Sequence, residues 1–268
     1  LIMQLADQNK LKVTDSIGKF LPGFVHGEIT LHQLLTHQSG IPNYTNNQDY
    51  LAKIITGKYT VSGLVSQFCS DSLEFLPGST FRYSNSGYVV LAAIIEKVTG
   101  LPYAKVLHDK IFEPAGMKNS FFGSDKSRGD TATSSVAVGY VNEEPELSFP
   151  IENIIGAGGI TSTTRDLLLY NRAISAGILL TPTSVTVIFH PHVAWKEWDS
   201  DYGYGWMLDR GIFDAGTRHK ILYHPGTEPG FYTMMIRQPD KKITIILLNN
   251  KGEFPRFDIA DLVLNELN

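Results

Sequence analysis

Three consecutive residues, Tyr83-Ser84-Asn85, put a phenol, a hydroxyl and a carboxamide side by side. A Pro77-Gly78 turn precedes them, and the apolar spacing from Val89 to Val98 predicts a helix that stops at Gly100 and Pro102. They therefore crowd a helix mouth, where backbone N–H groups are free and the dipole is positive. A capping role explains the same residues without chemistry: Ser84, Asn85 or Ser86 accepts from the first turn and Tyr83 is an amphipathic anchor. A second stretch, His224-Pro225-Gly226-Thr227, sets an imidazole at the end of a predicted strand, beside a glycine that lets another backbone come close. Its plain alternative is a strand-to-turn junction. Of the other histidines, His190 and His192 flank Pro191 in a loop and read as solvated, and His37 ends a short helix whose carbonyls it could satisfy.

Several standard sites are absent: there is no G-x-S-x-G elbow, no H-E-x-x-H, no Walker loop and no C-x-x-C. Gly156-x-Gly158 begins like a dinucleotide fingerprint but lacks its third glycine, and reads as a tight turn. A single cysteine, Cys69, excludes an internal disulfide and a multi-cysteine metal site. No metal or organic cofactor is implied. The formal net charge of −4, from 23 basic and 27 acidic residues without a basic run, argues against a nucleic-acid partner. With 43% hydrophobic and 19% charged residues the composition is that of a globular domain, and no apolar run reaches membrane-spanning length. The opening Leu1-Ile2-Met3-Gln4-Leu5-Ala6 is an apolar helical face without a capping residue, so residue 1 is expected to lie inside a helix of a longer protein.

The elements that must position these groups follow in order. Thr30, with Gln33 as capping-box partner, opens a short helix to His37, and further helical patterns cover Tyr50–Thr56, Val61–Phe68 and Tyr103–Ile111. Residues 119 to 150 lose periodicity and read as a long loop. Thr163-x-x-Asp166 opens a helix, and after Pro182 the character turns to strand, with runs at Tyr204–Leu208, Ile221–His224, Phe231–Arg237 and Lys242–Asn249. An amphipathic helix, Arg256 to Leu267, closes the chain. Helices first and an antiparallel meander afterwards predict an α+β fold, an antiparallel sheet flanked by helices with a second, mostly helical region. The expected division is 1–22, 23–155 and 156–268, with the site between the last two.

Taken together, the motifs resemble the serine β-lactamase and penicillin-binding-protein superfamily, in its class C β-lactamase, DD-peptidase and esterase branch. Leu34-Leu35-Thr36-His37-Gln38-Ser39-Gly40-Ile41-Pro42 is similar to that branch's L-L-T-H-T-S-G-L-P signature, and Tyr83-Ser84-Asn85 to its Y-x-N element. Gly158-Gly159-Ile160 with Ser162 resembles its A-G-G-L-x-S turn, and Tyr202-Gly203-Tyr204-Gly205-Trp206 its Y-G-x-G-W strand. His224-Pro225-Gly226 stands where the branch has H-x-G, a variant of K-T-G.

The resemblance implies a β-lactamase/transpeptidase-like fold and acyl transfer through a serine ester, on D-amino-acid peptides, β-lactams or related esters. It implies that Tyr83 is the base of acylation and the proton donor to the leaving group, which requires cationic neighbours to favour the phenolate. Asn85 would hold the substrate amide and the catalytic lysine, and His224 would line the far wall. Gly226 and Thr227 would meet the substrate, with the Thr227 N–H as an oxyanion donor, and Tyr44 would touch the acyl side chain. The S-x-x-K itself is expected about nine residues before Leu1, two and a half helical turns away, so the chain as given is expected to be inactive. The family's first strands would precede it too, leaving sheet edges unpaired. Ser16-Ile17-Gly18-Lys19 fits the pattern literally but follows the first helix and contains a helix-weakening glycine, so it is rejected as the nucleophile. Family habit places the site outside the cytoplasm. A non-catalytic binder of peptidoglycan-like peptides and an esterase without peptidase activity are the alternatives.

Overall fold

The computed structural model describes residues 1–123, 136–146, 150–217 and 219–267. Parts of the long 119–150 stretch lie outside these residues. Its described parts form two short pairings: β1 (Phe121–Phe122) with β4 (Ile160–Thr161), and β2 (Tyr140–Val141) with β3 (Glu144–Pro145).

The helical part begins with α1 (Ile2–Asp7) and α2 (Leu31–Leu35). Both halves of the expected capping box form: Thr30 Oγ1 accepts from the Gln33 N–H, and the Gln33 side chain accepts from the Thr30 N–H. After α3 (Gln48–Thr56) and α4 (Val61–Phe68) comes α5 (Asn85–Thr99), ended by Gly100 in the left-handed region at φ 70°. Nine of the fifteen residues of α5 are buried, on every side, which makes it the interior helix against which α2, α4 and α6 (Tyr103–Leu107) pack. After α6 the chain winds on through a π turn, His108–Phe112, to Gly116.

Two helices follow β4: α7 (Thr164–Ser175) and α8 (Pro182–Ile188). The second lies where β-branched residues predict strand. Here cap chemistry outweighs β propensity, because Thr181 Oγ1 accepts from the Ser184 N–H and Pro182 occupies the first turn. Asp7 of α1 locks the arrangement by accepting from the Thr181 hydroxyl at 2.9 Å and the Ser184 hydroxyl at 2.7 Å.

One six-stranded antiparallel sheet carries the rest, in the order β10-β9-β8-β7-β6-β5. Its strands are β5 (Val193–Trp195), β6 (Ser200–Tyr202), β7 (Met207–Asp209), β8 (Leu222–Glu228), β9 (Phe231–Gln238) and β10 (Ile243–Asn249). β5 and β6 are too short to show alternation in the sequence. β7 begins later than predicted because residues 203–206 make a turn, with Gly205 at φ 73° and the Gly203 N–H donating to the Trp206 carbonyl. The final helix, α9 (Arg256–Leu267), has the predicted bounds. It buries Ala260 and Leu264 against Tyr223, Met234 and Ile236 of the sheet, whereas Leu222 and Met235 join the larger core shared with the helices. β8 and β9 thus alternate between two cores, as period-two strands buried on both faces must. No helix among the described residues is long and apolar enough to cross a membrane.

Candidate active site

The α2–α5 interface meets the sheet at His37, which lies just past the end of α2 with φ 55° and is 1% exposed. A non-glycine residue in the left-handed region is strained unless its surroundings hold it there. Here the His37 carbonyl accepts from the Arg82 N–H at 2.9 Å and its ring accepts at Nδ1 from the Ser84 N–H at 3.1 Å. The ring is packed between two tyrosines, with centroids 4.1 Å from Tyr83 and 5.0 Å from Tyr88. The His37 N–H reaches the Leu34 carbonyl of α2, but the ring satisfies no helix carbonyl; it fastens the Tyr83-Ser84-Asn85 stretch to α2.

Four hydrogen bonds now fix a direction. A backbone amide can only donate, so Ser84 N–H makes His37 Nδ1 the acceptor, and the ring proton of the neutral imidazole sits on Nε2. That Nε2–H donates to the Tyr202 hydroxyl at 3.1 Å. At the other end, a carbonyl can only accept, so His224 Nδ1–H donates to the Pro225 carbonyl at 2.7 Å. His224 Nε2 is then the acceptor for the Tyr202 O–H, also at 3.1 Å. Both rings are neutral in this arrangement. Burial pushes His37 down to about 3 and lowers His224 below the ordinary imidazole value, with Arg256 opposing its charged form further.

Tyr83 faces this chain. Its ring stacks on Trp195 at 5.6 Å and 17° and lies 6.2 Å from the His224 ring, centroid to centroid. Burial, with the charge of Glu228 behind it, pushes the phenol up to about 12. Among the described residues no cation lowers it. Burial also pushes Glu228 up to about 7, so this carboxyl is part-protonated near neutrality. Asn85 is the first residue of α5; its N–H donates to Asn43 Oδ1 at 3.0 Å and its side-chain amide to Thr45 Oγ1 at 3.3 Å. The cap of α5 is thus supplied by Asn43 from a neighbouring loop. Ser84 holds the N-cap position, but its hydroxyl is buried without a partner among the described residues.

The edge of β8 completes the site. β7 pairs with β8 only at Leu222 and Tyr223, so His224 to Glu228 have no strand on that side among the described residues. Pro225 has no N–H and so occupies a position that exchanges no hydrogen bonds with β9. Alternation puts Thr227, two residues on, in the same class, with its N–H turned away from β9 toward the uncovered edge. Gly226 is required between them: a Cβ there would stand 2.3 Å from Thr233 Oγ1.

The structure therefore brings Tyr83, His224 and the Gly226–Thr227 edge to one place, with Asn85 two residues beyond Tyr83. Tyr44 is not presented there. Its ring is 4% exposed in the core, its N–H donates to Ser86 Oγ at 3.0 Å, and its hydroxyl turns toward the Asn153 carbonyl. Ser16 and Lys19 are not a helical pair: Ile17–Lys19 is a single 3-10 turn, and the Lys19 ammonium is spent on Asp15 at 2.7 Å. Gly156, at φ 78°, makes the expected tight turn, with Tyr88's carbonyl against it. Sequence reasoning assigned no part to Tyr202, Trp195, Glu228 or Arg256. Tyr202 alone carried a signal, as the first residue of the Y-G-x-G-W motif. For a metal, the described residues gather His108 and Asp109 of the π turn with Glu113 just after it, and Lys105 already occupies Asp109.

The H-P-G strand edge of the antiparallel sheet and the Y-x-N helix start thus come together, the juxtaposition the motif resemblance implies. The Beta-lactamase family model matches residues 1–267, and the chain belongs to that family. It is 32% identical over 278 residues to penicillin-binding protein 4* of Bacillus subtilis (strain 168), covering 97% of this chain and 60% of that protein. It is 26% identical over 264 residues to the teichoic acid D-alanine hydrolase of Staphylococcus aureus (strain MRSA252), covering 94% of this chain and 59% of that protein. The chain thus spans about 60% of the length of the curated relatives it matches. Among solved structures, the octameric penicillin-binding protein homologue from Pyrococcus abyssi superposes with a TM-score of 0.84 at 28% identity, covering 99% of this chain and 62% of that one. The fold is accordingly the β-lactamase/transpeptidase-like α+β fold.

Proposed function

We propose that this chain supplies the proton-transfer and oxyanion half of a serine hydrolase that acts through an acyl-enzyme on D-amino-acid peptides, β-lactams or related esters. The observation that carries it is the meeting of the Tyr83 phenol, the His224 imidazole and the outward-turned Thr227 N–H at one uncovered strand edge. The substrate class has support from relatives named for penicillin binding and for teichoic acid D-alanine hydrolysis. The same names support a site of action outside the cytoplasm.

In this reading a serine hydroxyl from an S-x-x-K segment of the whole protein attacks the carbonyl, and Tyr83 takes its proton. A phenol held at about 12 is protonated at neutral pH, so the lysine ammonium must lie beside it to stabilise the phenolate. After attack the phenol returns the proton to the leaving nitrogen or oxygen. The Thr227 N–H holds the developing oxyanion, fixed in the strand before charge forms. Asn85 takes the substrate amide. His224, with both nitrogens engaged, is a rigid neutral wall that shapes the cleft and holds no charge of its own.

The test is the full-length protein incubated with a penicillin and weighed, beside turnover of p-nitrophenyl esters and D-Ala-D-Ala peptides. A covalent adduct with peptide turnover is the expected result. Ester turnover alone assigns an esterase, and binding without adduct or turnover overturns the hydrolase reading in favour of a binder. Tyr83→Phe should cut turnover by roughly a hundredfold or more, the scale of one lost acid–base group.

A further inference from the structure

The guanidinium of Arg256, the first residue of α9, is driven into the sheet beneath the β8 edge, and the residue is only 9% exposed. It donates from Nη1 to the Gly226 carbonyl and, at 3.3 Å, to the Thr233 carbonyl; from Nη2 it donates to Thr227 Oγ1 at 2.9 Å. Its plane lies against two rings, Tyr232 at 4.9 Å and Phe257 at 5.7 Å. Among the described residues no carboxylate lies within ion-pair distance of it. A buried cation without a counter-ion is costly, and here its charge is spent on peptide oxygens.

The oxygen it grips belongs to the same peptide unit as the Thr227 N–H. That unit is trans and planar, so its C=O and N–H point in opposite directions: the carbonyl toward β9 and Arg256, the N–H toward the open edge. A charge-assisted donor on the carbonyl pulls electron density out of the amide and makes the N–H a stronger donor on the far side. We propose that Arg256 is a positioning residue that polarises the Gly226–Thr227 peptide and thereby strengthens the Thr227 N–H as an oxyanion donor. The catalytic part of this inference rests on the serine-hydrolase reading above; the polarisation of the peptide does not. A simple clamp between helix and strand would use the same bonds, so the test must separate the two by sign.

Hydroxide-catalysed amide exchange provides that separation. Withdrawing density from a peptide makes its N–H more acidic and faster to exchange, whereas tightening a strand edge slows exchange. In the full-length protein labelled with 15N-threonine, Arg256→Gln should therefore slow exchange of the Thr227 amide at neutral pH, with Arg256→Lys in between. Unchanged or faster exchange in Arg256→Gln overturns the proposal. If Arg256→Gln does not fold, Arg256→Lys is read by the same rule.

The second readout is the ester carbonyl band of the penicillin acyl-enzyme, which moves to lower frequency as its hydrogen bonds strengthen. Arg256→Gln should move it up, with kcat down about tenfold and KM little changed, short of the ~100-fold loss from deleting a donor outright. A band at the wild-type frequency overturns the proposal. If exchange slows but no acyl-enzyme forms even in the wild type, the hydrolase reading fails while the action of Arg256 on the peptide stands.

Discussion

Replacing Tyr202 by phenylalanine removes one oxygen from the centre of the His37–Tyr202–His224 chain and nothing else. The ring keeps its packing, so no cavity term arises. What changes is polar satisfaction. His37, 1% exposed, loses the acceptor for its Nε2–H, and His224 loses the donor to its Nε2. A buried donor left unsatisfied costs about 1–3 kcal/mol, and the half-buried acceptor on His224 adds about 1 kcal/mol, giving about 2–4 kcal/mol in all. For a domain of this size that corresponds to roughly 5–15 °C in the thermal midpoint. Tyr88→Phe, which gives up the bond to the Leu35 carbonyl and a hydroxyl beside that of Tyr202 but leaves both histidine bonds in place, should cost about 1 kcal/mol and serves as the milder comparison. The assays are thermal unfolding and long-range 1H–15N spectra of the histidine rings. In the wild type His37 should carry its proton on Nε2 and His224 on Nδ1, both neutral at pH values where exposed histidines titrate. Opposite tautomers would refute the directional argument outright. So would a Tyr202→Phe midpoint no lower than that of Tyr88→Phe.

Four further predictions concern pH, packing and the rejected nucleophile pair. His37 is held down to about 3 in the folded chain, against about 6.5 unfolded, so its contribution is complete above pH 6.5 and is lost by about 1.4 kcal/mol per pH unit as pH falls toward 3. Glu228 runs the other way: its folded value is raised to about 7 from 4.5, so ionising it weakens the fold as pH rises through that window. Glu228→Gln should abolish that component and stabilise the protein above pH 7; urea midpoints that keep the wild-type pH slope would contradict this. Gly226→Ala sets a Cβ 2.3 Å from Thr233 Oγ1 and should destabilise by roughly 1–3 kcal/mol, with Thr233→Ala as second change restoring most of it. Finally, Ser16→Ala and Lys19→Ala should leave penicillin acylation of the full-length protein at the wild-type rate, because Lys19 is committed to an exposed pair with Asp15. Loss of acylation in either would make that pair part of the site after all.

Where local chemistry decides, the sequence was a sound guide. The Thr30/Gln33 capping box, the stop of α5 at Gly100, the Thr163 cap of α7, the Pro229–Gly230 hairpin and the bounds of α9 are all written in residues within a few positions of one another. The phenol at 83 and the imidazole at 224 were legible too, since reactive side chains stood beside turn and helix signals. The general turn to strand character read after Pro182 begins later than that, because a cap and a distant carboxylate, Asp7, choose helix for the β-branched run Pro182–Ile188. The resemblance set Tyr44 against the acyl side chain, but α5 draws it inward through Ser86.

Only the tertiary structure decides the electrostatics of the site. His37 and His224 are 187 residues apart in numbering, yet one tyrosine between them fixes both tautomers. Glu228 and Arg256 look like ordinary surface charges in the sequence. Burial makes the first a carboxyl that titrates near neutrality and the second a cation held against a peptide oxygen. The reason is physical: caps and turns depend on near neighbours along the chain, whereas desolvation and the direction of a hydrogen bond depend on whatever the fold packs on the other side.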